Sequence, residues 1–481
     1  MSEYFITGEQ WQLIHRGTCD FTGPSFCLSG KRQDGIMRKM TEGNIYGHLL
    51  STAVPLIMGN ILQLTYNAVD SIIVSKGVGV DGLGAVSVSE PVSTIIILSI
   101  SGIGIGASVL MGRYFGAGDN EKVKRALSTT IVFGTLASLV ILLLGVLFSG
   151  QILELLNVPK DILASATAYT RIIFIGCIFT FQYNIMSNAL RAVGDAKTPV
   201  IFVGIASVLN ALMDVLFIFG FRWGVVGAGI ATALAEGISA VLCYIYVYRH
   251  IPVLQIRRRE LVLDTKMLRI ILKSGLVTAL QQACQPIGKL LIQSVINLQG
   301  VYVISAFNAA CRIEDFARIP GQSVGHSIMT CTAQNLGAGN MERTKESLWK
   351  GIIIGFVYCP IITFLVFVCR EPLMRLFAPA KGGEQMIAIG VSYLSIKAFM
   401  FILPYWTNAI QGYFRGMGQM TMTLICTVIQ ISVRTIMVFL LVPNIGIRGE
   451  AWGSALGWII MSVFEYGYYF TVQQRKVYRK S

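Results

Sequence analysis

Apolar residues run through this chain in long stretches rather than in the short stripes of a soluble fold. Stretches of membrane-spanning length fall near residues 47–74, 88–112, 126–149, 163–187, 199–220 and 226–248. Six more follow near 267–298, 301–333, 347–369, 385–411, 419–442 and 449–471. A helix rises 1.5 Å per residue, so roughly 20 apolar residues cross a hydrocarbon core of about 30 Å. Such segments are helical because the bilayer offers no water to an unpaired sheet edge. The pattern therefore predicts an all-α polytopic membrane protein with twelve transmembrane helices.

The two sets of six repeat each other. Gly116-Ala117-Gly118 recurs as Gly337-Ala338-Gly339, Arg191-x-x-Gly194 as Arg415-x-x-Gly418, and Gly224-x-x-Gly227 as Gly446-x-x-Gly449, at offsets of 221, 224 and 222. Three motifs in one order at one spacing mark an internal duplication. An even number of helices per half relates the halves by a pseudo-two-fold axis along the membrane normal, an architecture of secondary transporters. The expected organisation is an N-terminal six-helix lobe at 41–248, a charged linker at 249–266, a second lobe at 267–472 and a basic tail at 473–481. Residues 1–40 are polar and lack the apolar run of a signal peptide. They are expected to form a disordered tail, or to be upstream sequence ahead of a start at Met37 or Met40.

Composition fits this reading: 54% of the 481 residues are apolar and 13% charged. No room is left for a large soluble catalytic domain. The formal charge of +14 would in a soluble protein raise the question of nucleic acid. Here Lys and Arg gather in every second loop, above all at 249–273, by about three to one over the intervening loops, which reads as topology. Both termini are thereby placed in the cytoplasm, and no nucleic-acid partner is expected. Ten cysteines and four histidines are scattered without metal-ligand spacing, and no catalytic motif or Walker loop occurs. Neither an enzyme nor a cofactor is expected.

A charge at mid-span costs about 2.5 kcal/mol or more and persists only with a partner or a wet cavity. Gln63, Asn67 and Asp70 fall at i, i+4 and i+7 on the first helix. Asn210 and Asp214 stack one turn apart on the fifth, and Thr232 and Glu236 on the sixth. These oxygens can together hold a small hard cation or share a proton, since two confined carboxylates resist joint ionisation. Asn188 is a further supporting polar residue. Pro55 removes a backbone hydrogen bond in the first helix and is the candidate hinge. At the common offset Asp70 and Asp214 map to Ile292 and Ile436, so the acidic site is expected in the N-terminal half alone. The second half holds Lys289, Arg312, Glu314, Asp315, Arg318, Lys397 and Arg434, expected mainly as salt-bridged packing.

With these motifs the chain resembles the multidrug and toxic compound extrusion (MATE) transporters. The resemblance covers about nine-tenths of it, from Met40-Thr41-Glu42-Gly43 through the twelfth helix. It includes Pro55, Tyr66-Asn67-Ala68-Val69-Asp70, Tyr114-Phe115-Gly116-Ala117-Gly118, Arg191-Ala192-Val193-Gly194-Asp195 and Gln334-Asn335-Leu336-Gly337-Ala338-Gly339. The pattern of Asn210-x-x-x-Asp214 with Asp70 and Thr232 is similar to the cation site of the DinF-like bacterial branch. The resemblance implies a monomeric plasma-membrane antiporter that exports small organic, mainly cationic or amphipathic compounds from the lipid-embedded site in exchange for Na⁺ or H⁺. Asp70, Asn210, Asp214 and Thr232 would bind the coupling ion, with Na⁺ the only metal implied, and Pro55 would mark the bend. Glu236 departs from the family pattern. The alternative is a lipid-linked oligosaccharide flippase of the same superfamily, which would use Lys289, Arg312, Arg318, Lys397 and Arg434 to meet pyrophosphate.

Overall fold

The computed structural model describes residues 37–473, apart from Asn157 and residues 379–382. Twelve helices follow one another among the described residues. In the first lobe they are α1 (Ile45–Gly79), α2 (Gly82–Gly116), α3 (Asn120–Leu155), α4 (Lys160–Ala192), α5 (Lys197–Gly220) and α6 (Gly224–His250). In the second they are α7 (Thr265–Asn297), α8 (Val301–Gly337), α9 (Met341–Arg375), α10, α11 (Met420–Ile445) and α12 (Arg448–Tyr468). α10 comprises Gly383–Met400 and Ile402–Gly416, bent by 43° at the break. Eight helices are long and apolar enough to cross a membrane, nine with α10. α7, α8 and α12 are of spanning length but more polar, and they carry Lys289, Arg312, Glu314, Asp315, Arg318, Glu450 and Glu465.

The duplication read from the sequence governs the backbone. Left-handed glycines stand at equivalent places: Gly118 and Gly339 (φ 76° and 75°), Gly194 and Gly418 (89° and 72°), Gly224 and Gly446 (57° and 63°). A fourth pair, Gly79 and Gly300 (82° and 95°), makes the breaks between α1 and α2 and between α7 and α8. Such φ values cost a side-chain-bearing residue strain that glycine avoids. The side chains of Asp119 and Asn340, also equivalent, cap α3 and α9 by accepting from Lys122 N and Arg343 N at 3.0 and 3.1 Å.

The lobes meet along α2, α7 and α8. Gly102 and Gly106 lie against Gly275 and Ala279, which lets the backbones of α2 and α7 come close. At the foot of the seam a Cβ on Gly116 would overlap the Gln334 carbonyl, and one on Gly337 would overlap that of Arg113. The side chains then cross: Arg113 Nη2 donates to Gly416 O at 3.1 Å, and Gln334 Nε2 to Ala192 O at 2.8 Å. Arg113 and Gln334 occupy equivalent positions, so one latch is made twice.

The assigned tail ends inside this packing. Residues 1–36 lie outside the described residues, but Met40 is fully buried against Ile45, Leu49, Ile328 and Leu348. Its N–H donates to Gln334 Oε1 at 2.9 Å, and Arg38 N donates to Val193 O at 3.2 Å. The linker is likewise held, since Ser128 donates to Glu260 O at 2.9 Å and accepts from Val262 N at 2.7 Å. The basic tail from residue 474 lies outside the described residues.

Candidate ion-coupling site

α5 carries the centre of the site. It is α-helical to Asp214 and winds into a π-helix over Val215–Gly220, a rare geometry that is frequent at functional positions. Asp214 and Asn210, one turn apart, are both fully buried. Asp70 projects from α1 onto the same place, so that the Asp70 and Asp214 carboxyl groups are close neighbours. Two ionised carboxylates only accept, so that contact is favourable when a proton or a cation lies between them.

The surroundings supply few donors. Asn210 Nδ2 reaches Thr232 Oγ1 at 3.5 Å, and Thr232 donates to Ala228 O on its own helix at 3.1 Å. Asp70 Oδ1, both Asp214 oxygens and Asn210 Oδ1 are buried without a donor among the described residues. Native proteins pair over nine-tenths of such groups, and here four such oxygens lie unpaired in one place.

The structure brings Asp70, Asn210, Asp214 and Thr232 together as the spacing requires. Glu236 stands one turn further along α6 and accepts a hydrogen bond from Thr180 of α4. Gln63 and Asn67 share a face with Asp70 only loosely. Asp70 turns toward α5, while both amides are exposed. Asn188 is buried but bonds the Asn184 carbonyl at 2.8 Å and meets α2 at Gly104 rather than the carboxylates. Pro55 sits within an unbroken helix whose one interior non-helical residue is Gly79.

Two tyrosines were not singled out. Tyr66 lies beside Thr232 and within electrostatic range of Asp70, Asp214 and Glu236, and Tyr169 of α4 is in range of the same three carboxylates. Tyr66 precedes Asp70 by one turn, which is the signal that could have found it.

The second lobe also holds buried carboxylates, one of which, Glu314, lies in the mixed charge that the sequence assigns to salt-bridged packing. Glu314, Glu450 and Glu465 are all buried in the second. Glu450 accepts from Arg434 Nε at 3.1 Å, Lys397 at 3.2 Å and Ser454 at 2.7 Å. Lys397 also lies 3.6 Å from Glu314, and the Tyr393 hydroxyl is 2.6 Å from an oxygen of each glutamate. Two cations and two anions cancel there. Glu465 accepts from Gln411 Nε2 at 3.1 Å. The Glu314/Glu450 cluster is thus paired within the second lobe, whereas Asp70 and Asp214 meet no Lys or Arg among the described residues.

The MatE family model matches the chain twice, over residues 55–216 and 278–440. The two matches start at the spacing of the internal repeat. The probable multidrug resistance protein YpnP of Bacillus subtilis is 29% identical over 432 residues, covering 89% of this chain and 96% of that protein. The multidrug export protein MepA of Staphylococcus aureus is 23% identical over 414 residues, covering 85% and 90%. A solved outward-facing structure of a multidrug resistance MATE family transporter superposes with a TM-score of 0.86 at 22% identity. It covers 94% of this chain and all of that one.

Proposed function

The chain belongs to the MatE family and is a multi-pass multidrug efflux transporter; from that premise we propose that it is an antiporter, exporting amphipathic, mainly cationic organic compounds in exchange for inward Na⁺ or H⁺. The four donor-less oxygens of Asp70, Asp214 and Asn210 are the observation that carries this reading. The biased loops support an orientation with both termini in the cytoplasm, and we read the protein as a plasma-membrane monomer. The Gly79/Gly300 end then faces outward, and the Gly116/Gly337 seam closes the cytoplasmic side.

The ion arrives from outside through the gap and neutralises Asp70 and Asp214. A neutral pair lets α1 settle differently against α5 than an ionised pair, and the change is passed along α1. Coupling requires that ion and cargo differ in their preference for the two states. Two of the five basic residues the flippase alternative needs, Lys397 and Arg434, are consumed by Glu314 and Glu450.

The test is efflux of rhodamine 123 from proteoliposomes under an imposed Na⁺ or H⁺ gradient, comparing native protein with Asp70→Asn and Asp214→Asn. Gradient-driven efflux in the native protein and its loss in both variants is expected. Undiminished efflux in either variant refutes the assignment.

A further inference from the structure

The wall that the second lobe presents to the gap carries charge that the ion site does not use. α8 shows which of its sides faces the first lobe. Asn60 of α1 donates to Ser323 at 3.5 Å, and Met329 packs with Ile105 and Val109 of α2. Glu314 and Gly321, turned toward Tyr393 and Tyr405 of α10, mark the opposite, interior side. Asn308, Arg312, Asp315, Gln322 and His326 recur at spacings of three, four and seven residues on the side that faces the first lobe. Toward the foot that side is packed; above Ser323 it is uncovered, with Asn308, Arg312 and Asp315 exposed, and we read the uncovered stretch as the gap between the lobes.

α7 repeats the arrangement. Gln282 reaches Ser101 of α2 at 3.5 Å, and Lys289, two turns on, faces the same way. Lys289 lies 3.8 Å from Asp315, across the space between α7 and α8, with both side chains about half exposed. At 1.5 Å per residue Arg312 is about 17 Å, and Lys289 about 12 Å, below the outer ends of their helices. Charges at that depth stand in a water-filled path rather than in lipid. Asp315 answers Lys289, while Arg312 has no hydrogen bond or ion pair among the described residues. Arg318 belongs elsewhere, lining a small interior cavity with Tyr358, Tyr405 and Asn408.

We propose that Arg312, with Lys289 beside it, forms an anion-binding subsite on the second lobe's wall, which receives the carboxylate, sulfonate or phosphate group of an amphipathic cargo. The proposal rests on the reading of the gap as the cargo path, and it makes amphiphiles with an acidic group substrates alongside cations. An exposed guanidinium offers a planar fork of donors that matches an oxyanion in two places. Asp315 keeps the wall at one net positive charge, so the subsite recognises a single acidic group on an apolar body.

Binding to the full-length protein in phosphatidylcholine nanodiscs tests it, read by the anisotropy of fluorescein, an anionic xanthene dye, and of rhodamine 123, a cationic one. Arg312→Gln is expected to weaken fluorescein binding about tenfold or more, the worth of a hydrogen bond to a charged group, and to leave rhodamine 123 unchanged. Arg312→Lys should recover part of the loss. Asp315→Asn should tighten fluorescein, a change of sign that a folding defect does not produce. Equal fluorescein binding in native and Arg312→Gln protein, or none in the native protein, overturns the subsite. Nanodiscs containing phosphatidylglycerol separate the sources of the anion. If that lipid displaces fluorescein from native protein and is itself captured only when Arg312 is present, the subsite holds a headgroup and the cargo reading fails. Failure of the antiport reading would appear as transport indifferent to ion gradients, and would leave this dye comparison unmoved.

Discussion

Asp214 and Glu450 are both fully buried carboxylates in equivalent halves of one duplicated fold, and their surroundings give them opposite consequences. Asp214 has no donor among the described residues and faces another carboxyl group, whereas Glu450 holds Arg434, Lys397 and Ser454. Removing a charge from a crowded acidic pair relieves repulsion, but removing one from a satisfied network strands its partners. Asp214→Asn is therefore expected to abolish coupled transport while melting no lower than the native protein in detergent. Glu450→Ala leaves two buried cations unanswered, and breaking a buried pair typically costs about 3–5 kcal/mol. Its thermal midpoint should fall by many degrees. Similar destabilisation in both variants would show that Asp214 also has a structural partner. Glu236→Gln tests a third environment, since the amide can still accept from Thr180. Retained rhodamine 123 binding with a slower gradient-driven rate is expected, and a fully native rate would remove Glu236 from the pathway.

α1 belongs to both lobes. Its first turns, with Ile45, Leu49 and Ala53, pack against Ile328 and Leu348 of the second lobe. Further along, Gly59 lies on Val200 and Gly77 on Ile218, both of α5 in the first. Pro55 falls where the helix changes sides, so a bend there would alter how the Asp70 half is set against the anchored half. Pro55→Ala restores an N–H to the helix ladder. It is expected to preserve rhodamine 123 affinity and slow gradient-driven efflux severalfold, and an unaltered rate would show that the helix moves as one rod. The existence of these helices was legible because hydropathy is a local property, and the duplication because the turns demand glycine at fixed places. The convergence of Asp70, Asn210, Asp214 and Thr232 was legible from four-residue spacing on neighbouring helices. Helical spacing alone leaves a side chain's direction open by several tens of degrees, which is why Asn67 and Gln63 are exposed while Asp70 faces α5. The pairing of Glu450 was hidden for another reason. Its partners come from α10 and α11, and the residues equivalent to Asp70 and Asp214, Ile292 and Ile436, carry no trace of them.

At the scale of the whole molecule, the pseudo-two-fold axis passes through the latch between the lobes. Gly112 of α2 and Ala333 of α8 are equivalent in the two repeats, and a Cβ on Gly112 would lie 3.3 Å from that of Ala333. Around them Arg113 and Gln334 each reach the main chain of the opposite lobe. A contact on the axis between equivalent residues closes when both lobes approach symmetrically, so it is the place where alternating access can be stopped by one bond. The spacing is close to the 3.5–4.5 Å that a disulfide spans between its Cβ atoms, in rough terms. With the native cysteines replaced, Gly112→Cys together with Ala333→Cys should cross-link under oxidation and halt gradient-driven efflux. Reduction should restore it, and neither single variant should respond to oxidant. Rhodamine 123 should still bind to the oxidised pair, because the cleft lies at the other end. Undiminished efflux from fully cross-linked protein would mean that cargo crosses without parting this seam, and the two-lobe mechanism would fall with it.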